Sequence, residues 1–391
     1  MNNTNLNEMR DIFQDCNINF LIGSGLSAPY LEILGDIEIL LAALADQRIE
    51  EKKEKIIAVS LYKKYFDRVI VKNIDILNGC LDVNEVLNGY KKLLQSINSI
   101  LLNRRSTILS KQVNIFTTNI DVFLEKALED IGLEYNDGFC GRFLPTFNLS
   151  NFKKSTFRKS LHYDNTSEIP VFNLLKLHGS LTWETDTITG KIRFSPNLSL
   201  VKQIKDQQIP SAGIINIPEN STIETLISEA EKIADGSTNE PFLGAYKNLL
   251  IINPTKEKFK HTLFNQAYYD LLRIYSNELE KENTVLFVMG FSFADEHIRD
   301  LTIRAANSNP TLTIYIVAHT SGSKTKYEQM IDFGSVKNSN VRILVPPRVK
   351  PPAGEVEVDE FDFNLHKINE KIFDELLKKI EEQKTPVNPY I

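Results

Sequence analysis

Cysteine, tryptophan and long apolar runs are what this chain has least of. With one tryptophan and three cysteines in 391 residues, and apolar runs well short of the ~20 residues that cross a bilayer, it reads as a protein without a membrane segment. Cys16, Cys80 and Cys140 are odd in number and far apart, as expected of buried or idle thiols in a reducing compartment. No C-x-x-C pair occurs, so a thiolate zinc knuckle is excluded and no zinc is expected. A surplus of basic residues is also missing: 45 Lys and Arg stand against 51 Asp and Glu, a net charge of −6. That balance argues against direct binding of nucleic acid, whose partners carry basic surfaces. The N-terminus, Met1 to Glu8, has neither the charge nor the apolar block of a secretion signal. A cytoplasmic location is the expectation.

What is present is ordinary for a globular chain with a substantial core: 42% hydrophobic and 25% charged residues. The most informative stretch is 17–30. An apolar run (Ile18, Phe20, Leu21, Ile22) stops at Gly23-Ser24-Gly25, followed by Ala28, at a fingerprint position for a small residue, and Pro29, which suits the first turn of a helix. Strand, glycine turn and helix together bring backbone N–H groups and a helix N-terminus to a pyrophosphate. A glycine pair after a strand is equally an ordinary tight turn, so the weight lies in what else converges on it. Residues 31–65 read as helix, ending in the solvated charge run Glu50 to Lys55. The second strand with an acidic end about twenty positions after the glycines, which a nicotinamide dehydrogenase would carry, is missing.

Further along, residues 82–104 are helical. Val113 to Thr118 is a short β-rich run, followed by Asn119-Ile120-Asp121 and an amphipathic helix. Residues 138–170 have no steady period and read as an irregular insertion. Val171 to Leu177 is a strand that ends at His178-Gly179-Ser180. A second insertion, about 182–247, contains a hairpin near Thr189-Gly190 and a helix near 223–233. Strands are then expected at 249–254, 284–289, 312–317 and 341–345, with helices at 259–280 and 296–306. Near-continuous apolar strands alternating with helices indicate α/β architecture: a Rossmann-like parallel sheet with helices on both faces and irregular or helical insertions. The division expected is one α/β domain at 1–345, then a Pro-rich segment and an amphipathic helix at 346–391. The apolar stripe of that helix suits packing on its own domain or contact with a partner.

Open parallel sheets bind ligands at the carboxyl ends of their strands. Four strands end in suitable residues: Gly23-Ser24-Gly25, Thr117 to Asp121, His178-Gly179 and Gly290-Phe291-Ser292. The order Gly23-Ser24-Gly25-Leu26-Ser27, Thr117-Thr118-Asn119-Ile120-Asp121, Lys176-Leu177-His178-Gly179-Ser180 and Gly290-Phe291-Ser292 resembles the sirtuin family, over about residues 17–320. The run Gly290-Phe291-Ser292-Phe293-Ala294-Asp295-Glu296-His297-Ile298, with Pro254 to Phe259 before it, is similar to the sirtuin-like NAD hydrolases of bacterial antiphage defence.

The resemblance implies that Gly23, Ser24, Gly25 and Ser27 cradle the pyrophosphate of NAD and its adjoining ribose. Thr118, Asn119 and Asp121 would meet the nicotinamide ribose, and Gly290, Ser292 and Asp295 would lie along the cofactor. Asn119, Asp121 and His178 would be the catalytic set, with His178 as proton carrier. Two departures from the protein-deacylating branch, the missing four-cysteine module and the missing Gly-Ile-Pro-Asp-Phe-Arg type run, leave water as the simpler acceptor. The implied activity is NAD glycohydrolysis, controlled by homo-oligomerisation and a HerA-type hexameric ATPase partner. An ADP-ribosyltransferase or deacylase-type sirtuin, or a non-catalytic NAD-binding scaffold subunit of an ATPase complex, are the alternatives. Arg142, Lys153, Lys154, Arg158 and Lys159 are candidates to close over the diphosphate, or form a solvated basic loop. Ser321 to Thr325 has part of a phosphate-loop pattern without its first glycine. Trp183 suits a pocket wall or the core. His162, His319 and His366 have no metal spacing, and His261 and His297 fall on expected helices.

Overall fold

The apolar run before the glycines, β1 (Asn17–Ile22), is covered on both sides. Ile18, Phe20 and Ile22 enter one core cluster and Leu21 the other. Burial on both faces is why the strand reads as nearly unbroken hydrophobicity. Six further strands run parallel to it: β2 (Gln112–Thr117), β3 (Tyr135–Asn136), β4 (Val171–Lys176), β5 (Thr284–Met289), β6 (Leu312–Val317) and β7 (Val341–Leu344), in the order β7-β6-β5-β1-β2-β4-β3. The computed structural model describes residues 3–382 except 34, 105, 107, 208–212, 234–239, 253–265 and 351–356. Among the described residues no helix is long and apolar enough to cross a membrane.

One face of the sheet carries helices Asn3–Asp15, Asn84–Leu102 and Phe123–Asp130, and the other carries Gln266–Leu279 and Glu296–Ser308. The α/β expectation therefore holds. A third cluster joins helices Gly35–Ala45, Glu51–Tyr65 and Ile223–Glu231 through Ile37, Leu41, Ile57, Leu61 and Leu226, forming a small helical lobe. The C-terminal stripe is used within the chain. Leu365, Ile368, Ile372, Phe373, Leu376 and Ile380 are buried in the core with Phe13, Phe20 and Phe287.

Three expectations are corrected. The helix across 31–65 is two helices, Gly35–Ala45 and Glu51–Tyr65, parted by the polar residues around Asp46 to Glu50, and only a one-turn 3-10 helix, Ser24–Leu26, follows the glycines. Pro29 follows a cis peptide bond instead of opening a helix. The apolar residues at 249–252 add no strand to the sheet: Ile251 makes a lone antiparallel bridge to Gly179, and Pro254 to Phe259 and His261 lie outside the described residues. The irregular insertion at 138–170 holds short antiparallel pairs, including Thr156–Lys159 with Thr166–Ile169. As expected, the charge run lies on an exposed helical turn, and Trp183–Thr185 pairs antiparallel with Ile192–Phe194.

Candidate functional site

From β1 the chain builds outward through β2, β4 and β3 on one side, then returns to add β5, β6 and β7 on the other. The chain therefore leaves β1 and β5 toward opposite sides at the centre of the sheet, where open α/β sheets bind ligands. A cavity of about 520 Å³ opens there, within the size range of cofactor sites. Ser24, Ser27, Thr118, Asn119, Asp121, His178, Gly290, Ser292 and Asp295 line it, drawn from the loops after four strands. Ile39, Ala42, Tyr65 and Val69 of the helical lobe and its continuation form the opposite wall. Burial raises the Tyr65 phenol, and the charges of Asp121 and Glu38 add to that.

Proton counting orients the loop after β2. Ser27 Oγ donates its one hydrogen to Asp121 Oδ2 at 2.8 Å, because a carboxylate only accepts. It must then accept from Asn119 Nδ2 at 3.1 Å and from the Tyr90 hydroxyl at 3.1 Å. Tyr90 is buried, and burial raises its phenol well above the ordinary value. It stays protonated and able to donate. The Ser27 hydroxyl is thereby fully engaged, and its work is to hold Asn119 and Asp121. Asp121 Oδ1 accepts from Phe123 N at 3.1 Å. Asn119, which lines the cavity, keeps its Oδ1 buried with no hydrogen-bond partner.

Beneath this loop sits a buried ion pair. Lys176 Nζ lies 3.0 Å from Glu125 Oε1, with side chains only 2% and 9% exposed. The same ammonium donates to the carbonyls of Asn119, at 3.3 Å, and Asp121. Burial raises the Glu125 carboxyl, and the Lys176 charge opposes that rise. Asn73 Oδ1 accepts from Val122 N at 3.0 Å, anchoring the next residue.

His178 stands at the end of β4, where Gly179 takes φ +76°, which a side chain rarely adopts. A Cβ on Gly179 would also strike the Leu250 carbonyl. Ile252 N donates to the His178 carbonyl at 2.9 Å, so the 249–252 segment serves to pin this turn. Across the cavity, His178 Nε2 lies 3.0 Å from Asp295 Oδ2, the aspartate buried and the histidine partly so.

The glycines of the first loop answer a different need from the one expected. Gly23 and Gly25 do not line the cavity. A Cβ on Gly23 would lie 2.5 Å from the Gly290 carbonyl and 2.6 Å from Phe291 Cα, and Gly25 N donates to that same carbonyl at 3.0 Å. They let the loops after β1 and β5 touch. Gly23→Ala is therefore expected to lower the melting temperature in the absence of any nucleotide, by the equivalent of about 1–3 kcal/mol. Thermal melts with and without NAD check it; a loss confined to nucleotide binding would contradict the loop-packing role.

Other candidates fall elsewhere. Lys153 pairs with Glu278 at 2.8 Å, and Ser155 bonds Gln112 at the start of β2. The segment carrying Lys153, Lys154, Arg158 and Lys159 thus leaves from the amino end of the sheet, away from the cavity, and Arg142 does not line it. Trp183 packs in the core among Phe139, Phe147 and Tyr268. Ser321 N donates to Asp359 Oδ2 at 2.8 Å, so a carboxylate already meets the loop that resembled a phosphate binder. His162 is exposed, His319 faces Asp362, and His366 faces Glu370. Among the described residues no side-chain cluster could hold a metal ion. Tyr90, Asn73 and Glu125 were not singled out from sequence. The one signal was a charged residue, Glu125, on the buried side of an amphipathic helix.

Fold and cavity together define a class: a Rossmann-like parallel α/β protein with a cleft of mixed polar and apolar lining where strand order reverses. Compared with protein-family models and with curated proteins, the chain matches none.

Proposed function

We propose that this protein cleaves the nicotinamide–ribose bond of NAD with water, giving nicotinamide and ADP-ribose. The observation that carries the reading is the meeting of Asn119, Asp121 and His178 in one cavity, Asn119 having an unpartnered Oδ1. Cleavage sends the bonding electrons to the nicotinamide ring nitrogen and leaves positive charge on the ribose. The Asp121 carboxylate, held by Ser27 and Phe123 N, stabilises that charge through the low-dielectric site. Asn119 Oδ1 accepts from a ribose hydroxyl or from the attacking water. His178 takes the proton that water loses as its oxygen bonds C1′. The resemblance to sirtuin-like NAD hydrolases extends the proposal to NAD depletion in antiphage defence, controlled by self-assembly and a HerA-type hexameric ATPase.

Incubating the purified chain with NAD, alone and with a HerA-type ATPase, and separating the products tests the reaction. Free nicotinamide and ADP-ribose in equal amounts are expected. Asn119→Ala should lower kcat by about 10²-fold without unfolding the chain. ADP-ribose found on a protein or nucleotide would favour a transferase, and unchanged NAD under both conditions would sink the enzyme reading.

A further inference from the structure

We propose that Asp295 is a positioning residue for His178, fixing which ring nitrogen carries the proton. Its consequence for rate rests on the NAD-cleaving reading; the geometry does not. The strands that precede the two residues, β4 and β5, are separated in the sheet by β2 and β1. Three strand spacings amount to roughly 14 Å, so the loop from Gly290 to Asp295 must cross the head of the cleft to reach the histidine. It is shaped to do so. Phe293 takes φ +60° while fully buried, with its ring against Phe291 and Tyr327. The Tyr327 hydroxyl holds the Phe291 carbonyl at 3.0 Å.

At the end of this crossing, Asp295 caps helix Glu296–Ser308. Its Oδ1 accepts from His297 N at 3.1 Å and Ile298 N at 3.2 Å. A negative charge is favoured at that helix end, and the cap sets the carboxylate's orientation. Oδ2 is thereby presented to His178 Nε2 at 3.0 Å. A carboxylate oxygen can only accept, so Nε2 carries the hydrogen, and in the neutral ring the lone pair is on Nδ1. Among the described residues, the other carboxylates lining the cavity are Asp121, Glu32 and Glu38. Asp121 has both oxygens engaged, and Glu32 pairs with Arg68. Asp295 is the carboxylate that meets the ring. A cap on one strand's loop, a base on another's and a cleft between them is the arrangement that gives a histidine one defined tautomer. Nδ1 is then the atom that accepts the proton from water.

Asp295→Asn tests this because asparagine caps helices as well as aspartate does. Its amide oxygen can stay on His297 N and Ile298 N, while its NH₂ replaces Oδ2 and donates to Nε2. The hydrogen on the ring must then move to Nδ1. In the full-length chain carrying ¹⁵N-labelled histidine, with the His178 signals identified by their loss in His178→Gln, the wild type should show the Nε2–H pattern and Asp295→Asn the Nδ1–H pattern. The melting temperature should change little, and kcat for NAD should fall on the order of 10²-fold with KM unchanged. An unchanged tautomer overturns the proposal. So does a raised KM with kcat preserved, which would make Asp295 a cofactor contact instead. If the wild type fails to cleave NAD, the tautomer measurement still decides the pairing, so the two failures are separable.

Discussion

His178→Ala is expected to lower kcat for NAD cleavage by about 10²–10⁴-fold, the usual effect of removing a positioned proton carrier. The expectation rests on where the imidazole sits. It lines the same cavity as Asn119 and Asp121, is held through Nε2, and stands on a turn pinned by Gly179 and Ile252. The side chain is 13% exposed and lines the cavity wall. Its removal should therefore leave the melting temperature nearly unchanged. Groups that act on one step are not additive, so the double variant Asn119→Ala with His178→Ala should lose little more than His178→Ala alone. Single-turnover rates with melting curves on the same preparations check this. A full rate in His178→Ala, or a loss explained by unfolding, would remove the histidine from the proposed chemistry.

The second large effect concerns stability. Lys176→Met leaves Glu125 buried without its counter-charge and strips the loop carbonyls of Asn119 and Asp121 of their donor. Breaking a buried pair from one side costs about 3–5 kcal/mol, and denaturant titration should find a loss of that order. Its pH dependence has a definite sign. Burial already raises the Glu125 carboxyl above its unfolded value, and Lys176 is the main influence opposing the rise. In the variant the folded-state value climbs further. The neutral acid is then tolerated at pH below the unfolded value, and stability is lost as pH rises through the folded one. The deficit of Lys176→Met relative to wild type should therefore be smaller near pH 5 than near pH 8. Replacing both partners with apolar residues, Lys176→Met with Glu125→Leu, should restore much of the stability, since no charge is left stranded. If activity still fails in that folded double variant, the ammonium's hold on the loop matters beyond stability. A Lys176→Met protein as stable as wild type at pH 8 would show that the pair carries no such strain.

Much of the frame was legible because it is written locally. β1, β2, β4, β5 and β6 each appear as short, largely apolar runs, since a parallel strand covered on both faces must be apolar at nearly every position. The two-residue β3 was too short to leave a pattern. The segment 249–252 looks like a strand because it is apolar, yet its burial comes from lying over the His178 turn. The break after Ala45 was hidden by helix-favouring residues on both sides of it.

The site divides along the same line. Residues from four strand ends could be gathered into one candidate cleft from the chain alone, because strand ends in such a sheet share one edge. The roles of those residues could not. Ser27 looks like a phosphate contact until Asp121, Asn119 and Tyr90 are found around its hydroxyl, 94, 92 and 63 positions away. Gly23 looks like room for a ligand until Gly290 is found against it. By itself the sequence determined an α/β sheet and the edge at which chemistry would sit, since burial and turn preference are properties of neighbouring residues. Only the tertiary structure decided which atoms donate, which accept and which acceptor stays unpaired, because those depend on separations of about 3 Å between groups that the chain keeps far apart.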